Sequence, residues 1–179
     1  TSAEANTLDA KTTGAVTATI STTAIADLDD LTGTGNAYTI TVADSSVTAA
    51  ALNTVNAATT VNVTATAVTT ITGTAAQLAT TYDGGITGLG NEAITLSDTS
   101  VSASSINSLD GDTTGVINAS NVTTITGTYS EITTAQSSSG ITGLDGVNTI
   151  ISGNMTVARA NTVAATTTDP VTATITDGD

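Results

Sequence analysis

The sequence predicts a repeat solenoid, specifically a right-handed parallel β-solenoid with one short helical turn in each coil of about 26 residues. Three observations lead to this fold class. The same short sequence motifs recur along the chain. The asparagines of these motifs are spaced 47, 54 and 54 residues apart, at Asn6, Asn53, Asn107 and Asn161. Each long repeat of about 54 residues divides into two similar halves. In each half a strand-like run follows a helix-compatible piece, and this order continues over all 179 residues.

Each predicted helical turn begins at a hydroxyl side chain. Ser and Thr favour helix N-termini because their side-chain oxygen accepts a hydrogen bond from a backbone N–H that has no partner in the helix. A segment of small residues follows each hydroxyl, such as residues 49–55. The predicted N-cap residues are Ser2, Thr23, Thr48, Thr74, Ser102, Thr128 and Thr156.

The strand-like runs alternate apolar and hydroxyl residues, as in residues 16–20 (VTATI). Because a helical turn returns the chain after each strand, we expect the strands to be parallel and adjacent in order. Strands are predicted near 15–20, 37–42, 61–67, 93–98, 116–122, 147–151 and 171–176. A pair of tandem β-sandwich modules is the alternative architecture, since short strands separated by turns also fit it.

The repeats predict one array of about seven coils that spans residues 1–179. Its long repeats lie near 1–47, 48–101 and 102–155, and a partial repeat covers 156–179.

The composition excludes several function classes. The net charge is −14 with only two basic residues, which argues against nucleic acid and against anionic membranes as partners. There is no run of apolar residues long enough for membrane insertion. The chain has no His and no Cys, so the commonest general base and the strongest nucleophile are absent. We therefore predict that the chain is not an enzyme.

Several sequence motifs resemble those of a known class of protein. They are Asn6-Thr7-Leu8-Asp9, Thr12-Thr13-Gly14, the run at 16–20, and residues 33–42 (GTGNAYTITV). They look like the repeats of very long secreted surface proteins of cyanobacteria and other Gram-negative bacteria, in surface-layer-like and adhesin-like arrays. The resemblance implies a location outside the cell or on its surface, and it carries over no catalytic residue.

The expected function is therefore structural: an extracellular repeat segment of a cell-surface layer, an adhesin or a self-assembling fibre. Two alternatives stay open. The first is a Thr-rich solenoid that binds ice or polysaccharide through Thr-x-Thr rows, such as residues 17–19, 39–41, 64–66 and 172–174. The second is an adhesion module stabilised by calcium.

The calcium alternative depends on acidic turns. Calcium takes six to eight oxygen ligands, and carboxylates beside glycine turns are typical donors. Solvated surface residues are the favoured explanation of these acidic turns. No other cofactor is expected. The candidate calcium ligands are Asp27, Asp29, Asp30, Asp110, Asp112, Asp177 and Asp179.

The recurring asparagines are interpreted as structural residues. We expect each of them, Asn6, Asn53, Asn107 and Asn161, to lie at the same corner of every second coil. Their amides would bond to loop backbone groups that no strand ladder satisfies.

The two ends of the chain carry the same sequence motif. Residues 16–20 are identical to residues 171–175, so the sequence begins and ends at the same phase of its repeat. Two explanations remain at this point. Either the chain was cut from a longer array, or copies stack head to tail so that each end covers the next. The predicted partner is therefore the chain itself or a neighbouring repeat.

Overall fold

A computed structural model describes residues 1–176, and it divides the chain into two compact units. The first unit comprises residues 1–73 and 77–92. The second comprises residues 74–76 and the described residues from 93 onward.

Seven helices occur in residues 1–176, and six of them have 8 to 10 residues. The exception is a single turn of 4 residues. The helices are α1 (Ser2–Asp9), α2 (Ile25–Leu28), α3 (Ala49–Ala57), α4 (Ala75–Asp83), α5 (Ala103–Asp112), α6 (Tyr129–Ser137) and α7 (Val157–Ala164).

Thirteen strands occur in the same described part of the chain, most of them only 2 to 4 residues long. They are β1 (Thr17–Thr19), β2 (Ala37–Thr39), β3 (Ser46–Thr48), β4 (Val63–Thr64), β5 (Thr70–Gly73), β6 (Ile86–Thr87), β7 (Ala93–Leu96), β8 (Ser100–Ser102), β9 (Ile117–Asn118), β10 (Thr124–Gly127), β11 (Ile141–Thr142), β12 (Asn148–Met155) and β13 (Val171–Ile175).

All strand pairs described within each unit are parallel. In the first unit β1 pairs with β2, β3 with β5, and β4 with β6. In the second unit one sheet has the order β13-β12-β10-β8, and β9 lies between β7 and β11. The register is regular: Thr124 lies opposite Ser100 on one side and opposite Asn148 on the other.

The predicted right-handed parallel β-solenoid is wrong. The structure is an α/β fold whose seven helices and thirteen strands, over residues 1–176, include four separate parallel sheets. Strands do occur at the seven predicted places, but six others lie between them, and no single sheet collects one strand from every repeat. Six α-helices of 8 to 10 residues take the place of short helical turns, and most strands between them are only 2 to 4 residues long. The alternative β-sandwich would need antiparallel pairs, whereas the described pairs are parallel.

Each unit has its own apolar interior built from aliphatic side chains. In the first unit Leu28, Leu52 and Leu78 are fully buried, one from each of three helices. In the second unit Ile106 and Ile125 are buried in the same way. Burying one such side chain stabilises a fold by about 1.5–3 kcal/mol, so the small aliphatic residues compensate for the absence of Phe and Trp.

Hydroxyl caps begin most of the helices. The side chains of Thr48, Ser102, Thr128 and Thr156 accept from the backbone N–H three residues later, as predicted. Helix α1 differs by one residue, because Thr1 caps it and the predicted cap Ser2 is its first helical residue. Helix α2 is capped by Ala24, without a side-chain hydrogen bond, so the predicted cap Thr23 lies one residue too early. Thr74 directly precedes α4, which begins at Ala75.

Two glycines allow the chain to turn closely over a neighbouring repeat. Gly88 follows β6 with φ of 89°, and Gly143 follows β11 with φ of 83°. A Cβ atom at Gly143 would lie 2.6 Å from the backbone nitrogen of Ser120, and one at Gly88 would lie 2.9 Å from that of Thr66. Positive φ and close backbone approach both require glycine here.

Candidate functional site

The recurring asparagines occupy one position in the fold. Asn6, Asn53, Asn107 and Asn161 are each the fifth residue of a helix, in α1, α3, α5 and α7 respectively. They therefore lie on helices, whereas the sequence placed them at a corner between elements.

Three of the four amides bond to the backbone in the second half of their own long repeat; each such half is called a repeat from here on. The Nδ2 atom of Asn53 donates to the carbonyl of Gln77, and that of Asn107 donates to the carbonyl of Glu131, both over 2.9 Å. Gln77 and Glu131 are each the third residue of the following helix. Asn6 Nδ2 donates to the carbonyl of Asp30, also over 2.9 Å. In each case the two residues are 24 apart in the chain.

The side-chain carbonyls of these asparagines are used unequally. Asn53 Oδ1 lies 2.9 Å from the hydroxyl of Thr81, which donates to it, and Asn6 Oδ1 accepts from the N–H of Thr32. Asn107 Oδ1 is buried without a hydrogen-bond partner among residues 1–176. The Asn161 side chain is exposed and makes no hydrogen bond within the described part of the chain.

Threonine and asparagine side chains form a second set of bonds between repeats. The hydroxyls of Thr69, Thr87 and Thr123 each donate to a backbone carbonyl 24 residues earlier, over 3.0–3.2 Å. Asn121 Nδ2 donates to the carbonyl of Leu96, 25 residues earlier. We name these bonds, together with those of Asn6, Asn53 and Asn107, the side-chain ladder. The ladder thus gives a structural role to three of the threonines, Thr69, Thr87 and Thr123.

Two aspartates cap helices from a distance, and sequence reasoning missed them. Asp44 Oδ2 accepts from the N–H of Ile25 over 2.7 Å, and Asp98 Oδ2 accepts from the N–H of Ala75 over the same distance. Each carboxylate lies at a helix N-terminus, where the helix dipole and the free N–H groups favour a negative charge. The available signal was their spacing, since Asp44 and Asp98 stand 54 residues apart.

The acids predicted as calcium ligands do not converge. Asp27 and Asp30 line a surface cleft of about 580 Å³ with Thr22 and the start of α1, and Asp29 is the C-cap of α2. In the part of the chain that the structure describes, no group of three or more carboxylate, His or Cys residues could hold a metal ion.

The second acidic segment, which the sequence placed in a turn, belongs to helix α5 and has an internal partner. Asp110 Oδ2 accepts from the hydroxyl of Ser138 over 2.7 Å, and the same carboxylate lies against Gly140. Asp112 is the last residue of α5 and is exposed. The other two predicted ligands, Asp177 and Asp179, lie outside the described residues. Within residues 1–176, therefore, no predicted calcium ligand belongs to a group of three or more residues that could hold the ion.

A fully buried carboxylate pins one loop of the first unit. Glu92 has 0% of its surface exposed and accepts from the N–H of Gly90 through both carboxylate oxygens, over 2.9 and 3.0 Å. The phenol of Tyr82 donates to Glu92 over 3.0 Å. Sequence reasoning missed this group, because a single Glu in a loop carries no local signal.

The pKa values of Glu131 and Tyr38 are shifted, and each shift has an identifiable cause. The pKa of Glu131 lies below its usual value because the backbone N–H and then the hydroxyl of Thr128 donate to the carboxylate in a capping box. The pKa of Tyr38 is raised, first by burial of its phenol and second by the negative charge of Asp9.

The Thr-x-Thr segments do not make one continuous array. Thr41, Thr64 and Thr87 are aligned across neighbouring strands. In β13, however, Thr172 lies opposite Ile150 and Thr174 lies opposite Asn154, so the row of threonines is interrupted there.

A cleft of about 440 Å³ in the second unit holds the protein's single arginine. Its lining includes Tyr129, Asn154 and Arg159, and the guanidinium carbon of Arg159 lies 5.2 Å from the centre of the Tyr129 ring. This distance is that of a cation–π contact. Strand β12 shows a register shift between Ile150 and Asn154, beside the cleft.

Comparison with known proteins gives no relative: no family model, no curated protein and no solved structure matches the chain. The assignments to a surface layer and to an adhesin thus gain no support from the fold or from any relative. Among residues 1–176 there is also no helix of the length and apolar character needed to cross a membrane.

Proposed function

We propose that this chain is a structural repeat segment that acts outside the cell. Its proposed function is to hold a series of short α/β repeats in register, so that the segment resists mechanical force along its length. The observation that carries this proposal is the side-chain ladder, in which amides and hydroxyls bond to backbone groups 24 or 25 residues away.

The ladder favours a structural role because it uses up the polar groups that a binding site would present. Asn53 and Asn107 lie partly buried and donate inward, to helix carbonyls, and Thr87 donates to the carbonyl of Val63. Acidic side chains are used in the same way, since Asp44 and Asp98 cap helices. A residue whose donor or acceptor is already satisfied gains less from a ligand.

The proposed location is supported by the resemblance of sequence motifs, such as residues 33–42, to the repeat motifs of secreted bacterial surface proteins. It is tested on the source cells by treating intact cells with protease and identifying the released peptides. Peptides from this chain should appear before cytoplasmic markers do. Their release only after lysis would contradict the extracellular location.

The structural role is tested by pulling the protein from its two ends in single-molecule force spectroscopy, with marker domains of known unfolding force on each side. We expect the chain to resist force and then to lengthen in several steps, because each repeat is fastened to the next. Asn53→Ala should lower the unfolding force, while Asn161→Ala, whose side chain is exposed, serves as the matched control. Lengthening without measurable resistance would contradict the mechanical role.

A further inference from the structure

Asn161 is the recurring asparagine whose side chain makes no hydrogen bond within residues 1–176, and it lies at one end of the second unit. Helix α7 carries it at the fifth position, where Asn53 and Asn107 hold the following helix. No further helix follows α7 within residues 1–176. The first position of α7 is Val157, which is 45% exposed, whereas Ala49 and Ala103 at the same position of α3 and α5 are fully buried.

Helix α1, in the first unit, has the features of a helix that accepts such an asparagine. Thr1 and Glu4 form a capping box in α1, as Thr128 and Glu131 do in α6. In α6 the third residue, Glu131, accepts the amide of Asn107 through its backbone carbonyl. The third residue of α1 is Glu4.

The seventh position of these helices shows that one face of α1 is uncovered. In α4 this position is Thr81, which is fully buried and bonds to Asn53 of the preceding Asn-bearing helix. In α6 it is Ala135, which is 1% exposed. In α1 it is Leu8, which is 53% exposed and lines a shallow hollow of about 310 Å³ with Ala3 and Thr7.

The strands that follow these two helices have the same sequence. Residues 16–20, which include β1, and residues 171–175, which form β13, both read VTATI. Among the described strands, β1 pairs only with β2, and β13 pairs only with β12. Each therefore has one edge that presents free N–H and C=O groups, and such an edge is a template for another strand.

Resting on the structural role proposed above, we propose that the end formed by α7 and β13 binds the end formed by α1 and β1 of a second copy of this segment. The Nδ2 atom of Asn161 donates to the backbone carbonyl of Glu4 in the second copy, as Asn107 donates to that of Glu131. Strand β13 adds in parallel to β1, as β9 adds to β11 through Ile117 and Ile141. The exposed side chains of Val157 and Leu8 become covered.

The contact joins two different surfaces, so it leaves one end free on each copy. A heterologous contact of this kind continues into rings or open chains instead of stopping at a dimer. This property makes the two surfaces separable by mutation.

The experiment uses one variant that blocks each end. Leu8→Glu blocks the α1 end and Val157→Glu blocks the α7 end, and both side chains are exposed, so the fold is kept. Val116→Glu is the matched control, because Val116 is 49% exposed but lies at neither end. Circular dichroism checks that all four proteins are folded, and sedimentation velocity over a series of concentrations measures their assembly.

We expect the original protein and Val116→Glu to grow in mass with concentration. Each blocked variant alone should associate at least about tenfold more weakly, and an equimolar mixture of the two should form a one-to-one dimer that grows no further. Asn161→Ala, which adds no charge, should weaken the association in the same direction.

The proposal is overturned if the original protein stays a monomer at all concentrations, or if the blocked variants do not pair when mixed. It is equally overturned if Val116→Glu weakens association as much as the end variants do. None of these outcomes touches the resistance to force of a single chain, so failure of the docking contact is distinguishable from failure of the structural role.

Discussion

The side-chain amide of Asn53, in α3, makes two hydrogen bonds to α4. Its Nδ2 atom donates to the carbonyl of Gln77, and its Oδ1 atom accepts from the hydroxyl of Thr81. The Thr81 hydroxyl also lies 3.0 Å from the carbonyl of Gln77, so the three groups form a closed set. One half-buried amide thus fixes the spacing and the rotation of α3 against α4.

Removing either side of this set should destabilise the protein. Asn53→Ala leaves the hydroxyl of the fully buried Thr81 and the Gln77 carbonyl with fewer partners, and Thr81→Ala removes the donor to the half-buried Asn53 Oδ1. A buried polar group without a partner costs about 1–3 kcal/mol, so we expect losses of that size in the free energy of unfolding. Urea denaturation measures them. Asn161→Ala at low protein concentration is the control and should change the free energy by less than about 0.5 kcal/mol.

Ala135 occupies the place in α6 that Thr81 has in α4, and Asn107 Oδ1 lacks a partner there. Ala135→Thr should supply the missing hydroxyl and stabilise the protein by about 0.5–1.5 kcal/mol, the usual worth of one hydrogen bond. Ala135→Val has almost the same shape without the hydroxyl and is the matched control. Equal melting temperatures for the two variants would show that no bond to Asn107 forms.

Tyr38 is fully buried, and its hydroxyl has no partner in residues 1–176. Its pKa is raised, first by burial and second by the charge of Asp9, from an unfolded value of about 10. The folded state therefore keeps the proton longer than the unfolded state does, and stability falls as the pH rises above about 10 and through the folded pKa.

Tyr38→Phe should remove this loss and raise the free energy of unfolding by about 1 kcal/mol at neutral pH, because a buried hydroxyl without a partner is deleted. Denaturation at pH 7 and at a series of values above 9 measures both effects. Tyr129→Phe, at a half-buried residue, is the control. A steeper alkaline loss in Tyr38→Phe than in the original protein would contradict the assignment.

Gly143 combines a φ of 83° with close approach to the backbone of Ser120. Gly143→Ala should therefore destabilise the protein by at least about 1 kcal/mol, since the new Cβ meets both the strain of positive φ and the neighbouring nitrogen. Gly111→Ala is the control, because a Cβ atom there meets nothing within 4 Å and Gly111 lies in helix α5. That substitution should be neutral or stabilising in the same thermal melts.

Removing divalent cations should leave the described fold unchanged. Asp110 is engaged by Ser138, and the other acids of residues 1–176 form no cluster for a metal ion. We expect the melting temperature to be the same with EDTA and with millimolar calcium. A bound ion at a hundredfold excess over its Kd would add about 2.7 kcal/mol, so a fall of several degrees on chelation would revive the calcium alternative.

Local signals in the sequence determined a good part of the secondary structure. Strands such as β1 and β13 lie where alternating apolar and hydroxyl residues predicted them, and Thr48 and Ser102 cap helices as expected. These features depend on residues within a few positions of each other, so the order of residues alone specifies them. The 54-residue spacing of Asn53 and Asn107 also anticipated that both would hold the same position in the fold.

Only the tertiary structure decided which sheets form and what the recurring side chains bind. Strands of similar composition join different sheets, as β4 and β5 do, although only a short loop separates these two in the chain. Asp44 reaches Ile25 across 19 residues, and Asn53 reaches Gln77 across 24. Such partners become neighbours only after the chain has folded back, so no local pattern in the sequence could name them.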